Sequence, residues 1–211
     1  LLIDHLDKTL QGETLPEGGG QIFRRFDADW EVFLEYGQAD SITTQPIIVE
    51  GTGTSALLVS AVGRDKAALV RVDLASGKQS VLGESDKADV SDVWFEARSR
   101  APQAFAVEYL TTELTALTPA AKQDIERLRN ALGPQFDVTS RTLDDRRWIV
   151  VVADPVKVLS SYVYERDSGA VTKLFDHRPE LAKAPLQPMR PLEIPARDAL
   201  TLVTYLTLPP R

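Results

Sequence analysis

The feature that most constrains this 211-residue sequence is an internal repeat. The stretch Trp148–Gly169 aligns without a gap on Ala56–Gly77 after a shift of 92 positions. Both copies begin with an unbroken apolar run, pass through a short polar loop, continue with a half-polar strand and end on Ser-Gly. Similarity at a fixed spacing is typical of repeat architectures, and half of this spacing falls within the roughly 40–50 residues of a four-stranded propeller blade. The repeat therefore predicts blades of a β-propeller.

Composition excludes several classes of partner. The chain has 24 basic and 31 acidic residues, a net charge of −7, and no cluster of Lys and Arg, so nucleic acid and anionic membranes are not expected partners. It has no cysteine, which excludes disulfides and thiolate chemistry but leaves the compartment, cytoplasmic or periplasmic, open. No apolar run approaches the roughly 18 residues of a membrane span.

The middle of the chain, residues 89–135, departs from the repeat. A helix is predicted near 118–133, because Thr118 can cap it, Pro119 suits its first turn, and Gly133 can end it. Its apolar face would be formed by Ala121, Ile125, Leu128 and Leu132. We interpret this helix as an insertion in the outer part of one irregular blade.

The last part of the chain changes in composition. Five prolines between positions 179 and 195 indicate an extended linker. The alternating stretch Leu200–Leu208 predicts a strand with no obvious partner in the chain, so pairing with a downstream segment or another copy is expected.

The residues at this end carry a resemblance. The segment Leu186–Pro209 resembles the region where prolyl oligopeptidase (S9) family serine peptidases, of the acylaminoacyl-peptidase type, pass from propeller to α/β-hydrolase domain. Ser140–Trp148 and Tyr162–Gly169 also resemble blade turns and strands of that family. One departure is Asp198-Ala199, where the family usually has Asp-Gly. Ala tolerates the positive φ of such a hairpin position poorly, which puts the geometry of this turn in doubt.

The resemblance implies a division of the chain at residue 184. Residues 1–184 would form a partial, all-β propeller of about three to four blades, and residues 185–211 the linker and first strand of a missing α/β-hydrolase domain. This non-catalytic segment would cap the active site and filter peptide substrates, with nucleophile, acid and base all downstream of Arg211. No cofactor or metal is implied. Whether the parent would remove acylated residues, remove dipeptides or cleave internally stays open.

The sequence leaves two other functions open. The first is a stand-alone propeller that binds a protein partner or serves as a scaffold, with self-association through open blade faces. The second is an enzyme built on Ser55 and His177. Ser55 lies in an incomplete G-x-S-x-G motif ahead of a strand, which favours a structural turn, and His177 follows a predicted outer strand, which favours an exposed loop residue. The other histidine, His5, lies in the irregular N-terminal stretch.

Charged and aromatic residues also allow two interpretations. Asp144–Arg147 could supply paired carboxylates for acid-base chemistry, but a turn with solvated arginines explains it better. Trp148 could line a peptide groove, but packing between blades is favoured. The mixed charge on the other face of the predicted helix is more typical of a solvated surface than of a partner-binding surface. Its members are Lys122, Asp124, Glu126, Arg127 and Arg129.

Overall fold

The computed structural model describes residues 2–3, 10–26 and 29–210. Within these ranges the chain is all-β apart from one α-helix and two short 3-10 segments. The helix, α1, is Pro119–Leu132. The strands are β1 (Leu2–Ile3), β2 (Leu10–Thr14), β3 (Gly20–Phe26), β4 (Asp29–Tyr36), β5 (Gln45–Val49), β6 (Ser55–Ser60), β7 (Ala68–Asp73), β8 (Gln79–Gly83), β9 (Val90–Phe95), β10 (Pro102–Glu108), β11 (Thr112–Ala116), β12 (Asp137–Arg141), β13 (Arg147–Val152), β14 (Ser160–Glu165), β15 (Ala170–Asp176), β16 (Met189–Pro195) and β17 (Thr201–Thr207).

Strands that neighbour one another in each sheet are consecutive in sequence. The sheets are β1–β4, β5–β8, the three-stranded β9–β11, β12–β15 and the hairpin β16–β17. Small sheets of consecutive strands, repeated along the chain, are the blades of a β-propeller. The all-β propeller prediction of about three to four blades with one inserted helix is therefore confirmed.

The 92-residue repeat is reproduced in the register of the strands. Ser55 pairs with Asp73 across β6 and β7. The residues 92 positions after these two, Arg147 and Glu165, pair across β13 and β14. The first strand pair of each blade carries an irregularity at the same place, between positions 46 and 48 and between positions 138 and 140. The two stretches thus form equivalent parts of two blades.

The turns that end the two copies are also equivalent. Gly77 and Gly169 have φ values of 71° and 73°, a conformation that suits glycine because it lacks a Cβ. Gly77 N–H donates to the Asp73 carbonyl at 2.9 Å, and Gly169 N–H donates to the Glu165 carbonyl at 2.8 Å. The shared Ser-Gly of the sequence repeat thus marks one turn geometry.

The described residues form two compact units, one of residues up to 108 with 114–118, the other of 109–113 with 119–210. In the first unit, alternate residues of β6 enter two different apolar clusters, with Ala56 and Leu58 on one side and Leu57 and Val59 on the other. Burial on both faces explains why this strand is apolar without alternation. The sheet β5–β8 is therefore an inner layer of its unit.

The helix α1 begins and ends within one residue of its predicted limits. Ala121, Ile125 and Leu128 are buried as expected, whereas Leu132 is only half-buried. Asp124 was expected on the solvated face, and this was wrong, because its carboxylate is buried with hydrogen-bond partners from the sheet β12–β15.

The C-terminal strand has a partner, which corrects the expectation that it lacks one in this chain. Every residue of β17 pairs with β16, from Thr201 opposite Pro195 to Thr207 opposite Met189. Prolines in β16 disguised the strand in the sequence, but an edge strand tolerates them because one row of its N–H groups needs no partner. The turn that joins the two strands places Ala199 at a φ of 68°, where the resembled family has glycine.

Candidate functional site

Ser55 is the first residue of β6, and its side chain is held by a carboxylate. Its hydroxyl donates to Glu50 Oε2 at 2.5 Å, and the Arg71 guanidinium donates to both oxygens of Glu50 at 2.7 Å each. Glu50 is buried, and the half-exposed Arg71 side chain neutralises its charge. A nucleophile elbow requires a serine between a strand and a following helix with a histidine base, whereas Ser55 leads into a strand and donates to Glu50.

His177 lies directly after β15 and has a serine partner that the sequence did not reveal. Its Nε2 is 2.8 Å from Ser161 Oγ, and its ring is 5.1 Å from that of Phe175. Ser161 is only 3% exposed, so this hydroxyl is not accessible to a substrate. The distance between the serine oxygen and the histidine nitrogen is that of a Ser-His dyad. The role of the pair is structural, because it ties the end of β15 to β14, where Ser161 and Phe175 are paired residues.

The carboxylate next to His177 is engaged elsewhere. Asp176 accepts hydrogen bonds from Ser160 Oγ at 2.5 Å and from Lys173 Nζ at 2.6 Å. The ammonium of Lys173, and then the Ser160 hydroxyl, lower the pKa of Asp176, and the bond to Asp176 raises the pKa of Lys173. These contacts leave His177 with no orienting carboxylate among its described contacts, so no catalytic triad is assembled here.

Ser160, Lys173 and Asp176 border a cavity of about 310 Å³ at this end of the sheet β12–β15. Its wall combines the ends of the strands with the loop between β13 and β14 and with the segment after β15. The lining residues are Val152, Val156, Lys157, Val158, Ser160, Tyr162, Lys173, Asp176, Leu181, Ala182, Ala184 and Leu186.

A second charged cluster joins α1 to the same sheet. Arg166 Nε donates to Asp124 Oδ2 at 2.8 Å, and Arg166 Nη1 donates to Asp145 Oδ2. The two carboxylates are 2% and 5% exposed, and Asp124 also accepts from the Tyr164 hydroxyl at 2.7 Å. The Arg166 guanidinium thus bridges two buried carboxylates, and Arg141 Nη1 lies 3.7 Å from Asp145 Oδ1 as a second positive charge, so the cluster is costly to break.

The aromatic part of this cluster forms the centre of the blade. Trp148 and Tyr164 are both fully buried and meet edge to face, with ring centroids 5.5 Å apart. The Trp148 indole N–H donates to Asp145 Oδ1 at 2.7 Å, and the Arg141 guanidinium lies 3.9 Å above the indole ring. Burial is the main cause of the raised pKa of Tyr164. Trp148 is therefore packed in the interior, as the sequence favoured, and does not line a peptide groove.

In the turn Asp144–Arg147, the side chain of Asp144 behaves as the sequence predicts, whereas that of Asp145 does not. Asp144 accepts from Thr142 Oγ1 at 2.5 Å and from the Arg146 N–H at 3.2 Å, and both bonds, the first most, lower its pKa. Asp145 was expected to be an ordinary turn residue, but it is buried at a φ of 55°. A signal that could have found it is the buried tryptophan three residues later, since a buried indole N–H needs an acceptor.

The described residues offer neither a metal site nor a membrane-spanning helix. No group of three or more His, Cys, Asp or Glu side chains is placed to hold a metal ion. Likewise, α1 does not have the length and apolarity to cross a membrane. His5 lies outside the described residues.

The chain is similar to curated peptidases over nearly its whole length. It is 40% identical over 196 residues to dipeptidyl aminopeptidase BIII of Pseudoxanthomonas mexicana, which covers 92% of the chain and 28% of that protein. It is 23% identical over 184 residues to dipeptidyl peptidase family member 6 of Caenorhabditis elegans, covering 86% and 25%. The chain belongs to the prolyl oligopeptidase (S9) family. It spans about a quarter of the length of these family members, and no protein-family model matches it.

Solved structures of the family share the fold. A prolyl endopeptidase superimposes with a TM-score of 0.57 at 10% identity, covering 93% of this chain and 30% of that one. A puromycin hydrolase superimposes with a TM-score of 0.54 at 15% identity, again covering 93% and 30%. The matched regions are propeller domains, so this chain corresponds to the propeller part of a prolyl oligopeptidase-family enzyme.

Proposed function

We propose that this chain is the non-catalytic propeller segment of a dipeptidyl peptidase, which caps the active site and filters peptides on their way to a hydrolase domain. The single observation that carries the proposal is the 40% identity to a dipeptidyl aminopeptidase over 92% of the chain. The geometry supports it, because the Ser55 hydroxyl is bound to Glu50 and His177 is bound to the buried Ser161. Neither pair is arranged to attack a peptide bond.

The C-terminal hairpin supports a second domain as the partner of this segment. Six aliphatic side chains of residues 192–208 are 39–64% exposed, which is unusual for one small region of a soluble protein. They are Leu192, Ile194, Leu200, Leu202, Leu206 and Leu208. A two-stranded hairpin is marginal by itself in water, so a larger sheet that continues from it would stabilise it. We assign residues 1–184 to the propeller and 185–211 to the linker and the β16–β17 hairpin, which would begin that hydrolase domain.

The test is the reactivity of the full-length natural protein that contains these residues. It is treated with a fluorophosphonate probe, and the labelled serine is identified by mass spectrometry of peptides. We expect a label on a serine outside residues 1–211 and cleavage of dipeptidyl chromogenic substrates in preference to N-acetylaminoacyl or internally cleaved ones. The Ser55→Ala variant should keep both the label and the activity.

Two outcomes would contradict the proposal. Labelling at Ser55 would place the nucleophile in the propeller segment. Absence of any labelled serine, together with self-association of the protein in sedimentation measurements, would favour the alternative of a propeller that binds a protein partner by itself.

The filtering role has its own measurement. If the propeller screens substrates by size, a small dipeptidyl substrate should be hydrolysed while a long unfolded polypeptide such as casein is spared. Equal hydrolysis of the large and the small substrate would contradict the filter without contradicting the peptidase assignment.

A further inference from the structure

Tyr109 contacts both strands of the C-terminal hairpin, although it lies more than 80 residues away in sequence. Its hydroxyl donates to Glu193 Oε1 of β16 at 2.6 Å. Its backbone carbonyl accepts from the Tyr205 hydroxyl of β17 at 2.8 Å. Both distances are those of good hydrogen bonds, and the first goes to a carboxylate, the stronger kind of acceptor. One residue thus binds two strands at once.

The two partners project from the same face of the hairpin. Glu193 pairs with Val203, and Tyr205 pairs with Pro191, so the two cross-strand pairs are two residues apart. Side chains two residues apart along a strand lie on one face of a sheet. The neighbouring pair Ile194–Leu202 lies on the opposite face, which is the exposed aliphatic one. Tyr109 therefore holds the hairpin by the face that carries Glu193 and Tyr205, and leaves the face of Ile194 and Leu202 available.

The hairpin has no strand partner in the described residues other than itself. Its placement therefore depends on side-chain contacts of this kind. The contact to Tyr109 needs a protonated phenol, and the hydrogen bond to Glu193 raises the pKa of Tyr109, so the phenol stays protonated at neutral pH. The donor is therefore in the required state under the conditions where a peptidase would work.

We propose that Tyr109 is a positioning residue for the peptidase reaction, which fixes the β16–β17 hairpin and through it the hydrolase domain that continues from it. The inference rests on the proposed function for the identity of that domain. Tyr109 touches no substrate in this role. It sets where the reacting groups of the next domain stand, and catalysis is sensitive to displacements of about 1 Å.

The first measurement is hydrogen exchange of peptides that cover residues 189–207 in the full-length protein. Tyr109→Phe and Tyr205→Phe each remove one donor without changing side-chain shape, and roughly three- to ten-fold faster exchange is expected from the loss of one hydrogen bond. Tyr162→Phe, a change of the same kind in β14, is the matched control and should leave exchange in the hairpin unchanged. Unchanged exchange in both variants would overturn the proposal.

The second measurement separates positioning from general stability. Glu193→Gln keeps an acceptor for the Tyr109 hydroxyl and Glu193→Leu does not, so kcat on a dipeptidyl substrate should fall several-fold more in Glu193→Leu, with KM and Tm little changed. Equal kcat values in the two variants would overturn the positioning role. Hydrogen exchange needs no activity, so a protein without a reactive serine but with faster exchange would refute the proposed function and not the contact.

Discussion

The blades β5–β8 and β12–β15 have the same backbone and different interiors. Their strand pairs match residue for residue at a shift of 92, including the irregularity in the first pair. At one of these matched positions, the first blade has Ala56 and the second has Trp148, and both are fully buried. The register is thus compatible with the smallest and the largest apolar side chains at one site.

The difference extends to charge. Leu74 and Arg166 occupy equivalent positions, and their N–H groups make equivalent bonds, to the Thr54 carbonyl at 2.9 Å and to the Arg146 carbonyl at 2.8 Å. Leu74 belongs to an apolar cluster, whereas the Arg166 side chain bridges two buried carboxylates. Main-chain hydrogen bonds therefore define the blade, and each interior is fitted to its own neighbour.

The neighbour explains the contrast. The sheet β5–β8 lies between apolar clusters that include residues of other sheets, so it has apolar residues on both faces. The sheet β12–β15 instead meets α1, whose Asp124 and Arg127 contact Tyr164 and Arg166. A helix presents polar side chains at its margins, and these require partners on the sheet.

The largest expected effect is that of Trp148→Ala. The variant removes the edge-to-face contact with Tyr164 and leaves Asp145 without the indole donor, so we expect a loss of about 4 kcal/mol in the free energy of unfolding in urea. Trp148→Phe keeps most of the volume and should lose about half as much. A loss under about 1 kcal/mol in Trp148→Ala would show that this blade can collapse onto the small interior of its counterpart.

Next in size is Arg166→Met, with an expected loss of about 3 kcal/mol because the buried Asp124 and Asp145 carboxylates both lose their ion pair with Arg166, while Asp145 keeps Arg141 at 3.7 Å. Combining it with Asp124→Asn should recover part of that loss, since the Asp145 carboxylate still has Arg141 as a partner. The same urea measurement applies. If the double variant were no more stable than Arg166→Met, the penalty would come from lost packing and not from charge.

Arg71→Met tests the ion pair with Glu50 in the first blade and should cost less, about 1 kcal/mol. Its side chain is 39% exposed, so water can solvate part of the charge and reach Glu50 once the guanidinium is gone. Urea unfolding is compared with that of Arg166→Met. Equal losses in the two variants would contradict the view that only the second blade depends on a buried charged cluster.

The blade itself could be predicted from the sequence because its determinants are local and repeated. The apolar runs, the half-polar strands and the Ser-Gly turns recur at one spacing, and the helix limits are given by Thr118, Pro119 and Gly133. The C-terminal strand β16 was missed because Pro191 and Pro195 count against a strand in any local rule, although they are tolerated at an edge.

The charged and hydroxyl pairs could not be predicted, because their members are distant in sequence. Asp124 and Arg166 are 42 residues apart, and Ser161 and His177 are 16 apart on neighbouring strands. Their side chains meet only after the sheet and helix have packed. A polar residue at a helix margin or strand end is solvated in most proteins, so the usual interpretation failed for Asp124 and Asp145.

Glycine replacements should show equal costs in the two blades. Gly77→Ala and Gly169→Ala each place a Cβ at a positive φ and should lose about 1 kcal/mol in urea unfolding, within a few tenths of each other. Ala199→Gly is the reverse change, at a φ of 68°, and should stabilise the hairpin β16–β17 against hydrogen exchange. A marked inequality between Gly77 and Gly169 would show that the shared turn is not equally strained.

The smallest effect concerns acid. Asp73 accepts from the hydroxyl and the N–H of Ser76, both at 2.7 Å, and the hydroxyl bond is the main cause of a pKa below the ordinary 3.8. Because the folded-state pKa is lowered, the stabilisation is present above the unfolded-state value and is lost as pH falls through the folded-state value. Ser76→Ala should therefore raise the pKa of Asp73 in a carboxyl NMR titration and flatten the stability profile below about pH 4.

The other blade supplies the control for this titration. Ser168, the counterpart of Ser76, donates to the backbone carbonyl of Glu165 at 3.4 Å, and a carbonyl does not titrate. Ser168→Ala should therefore leave the acid limb of the stability profile as it is. The equivalent carboxylate of the second blade, Glu165, pairs with Arg147 and not with Ser168. If both serine variants flattened that limb equally, the effect would belong to the turn backbone that the blades share and not to the bond between Ser76 and the Asp73 carboxylate.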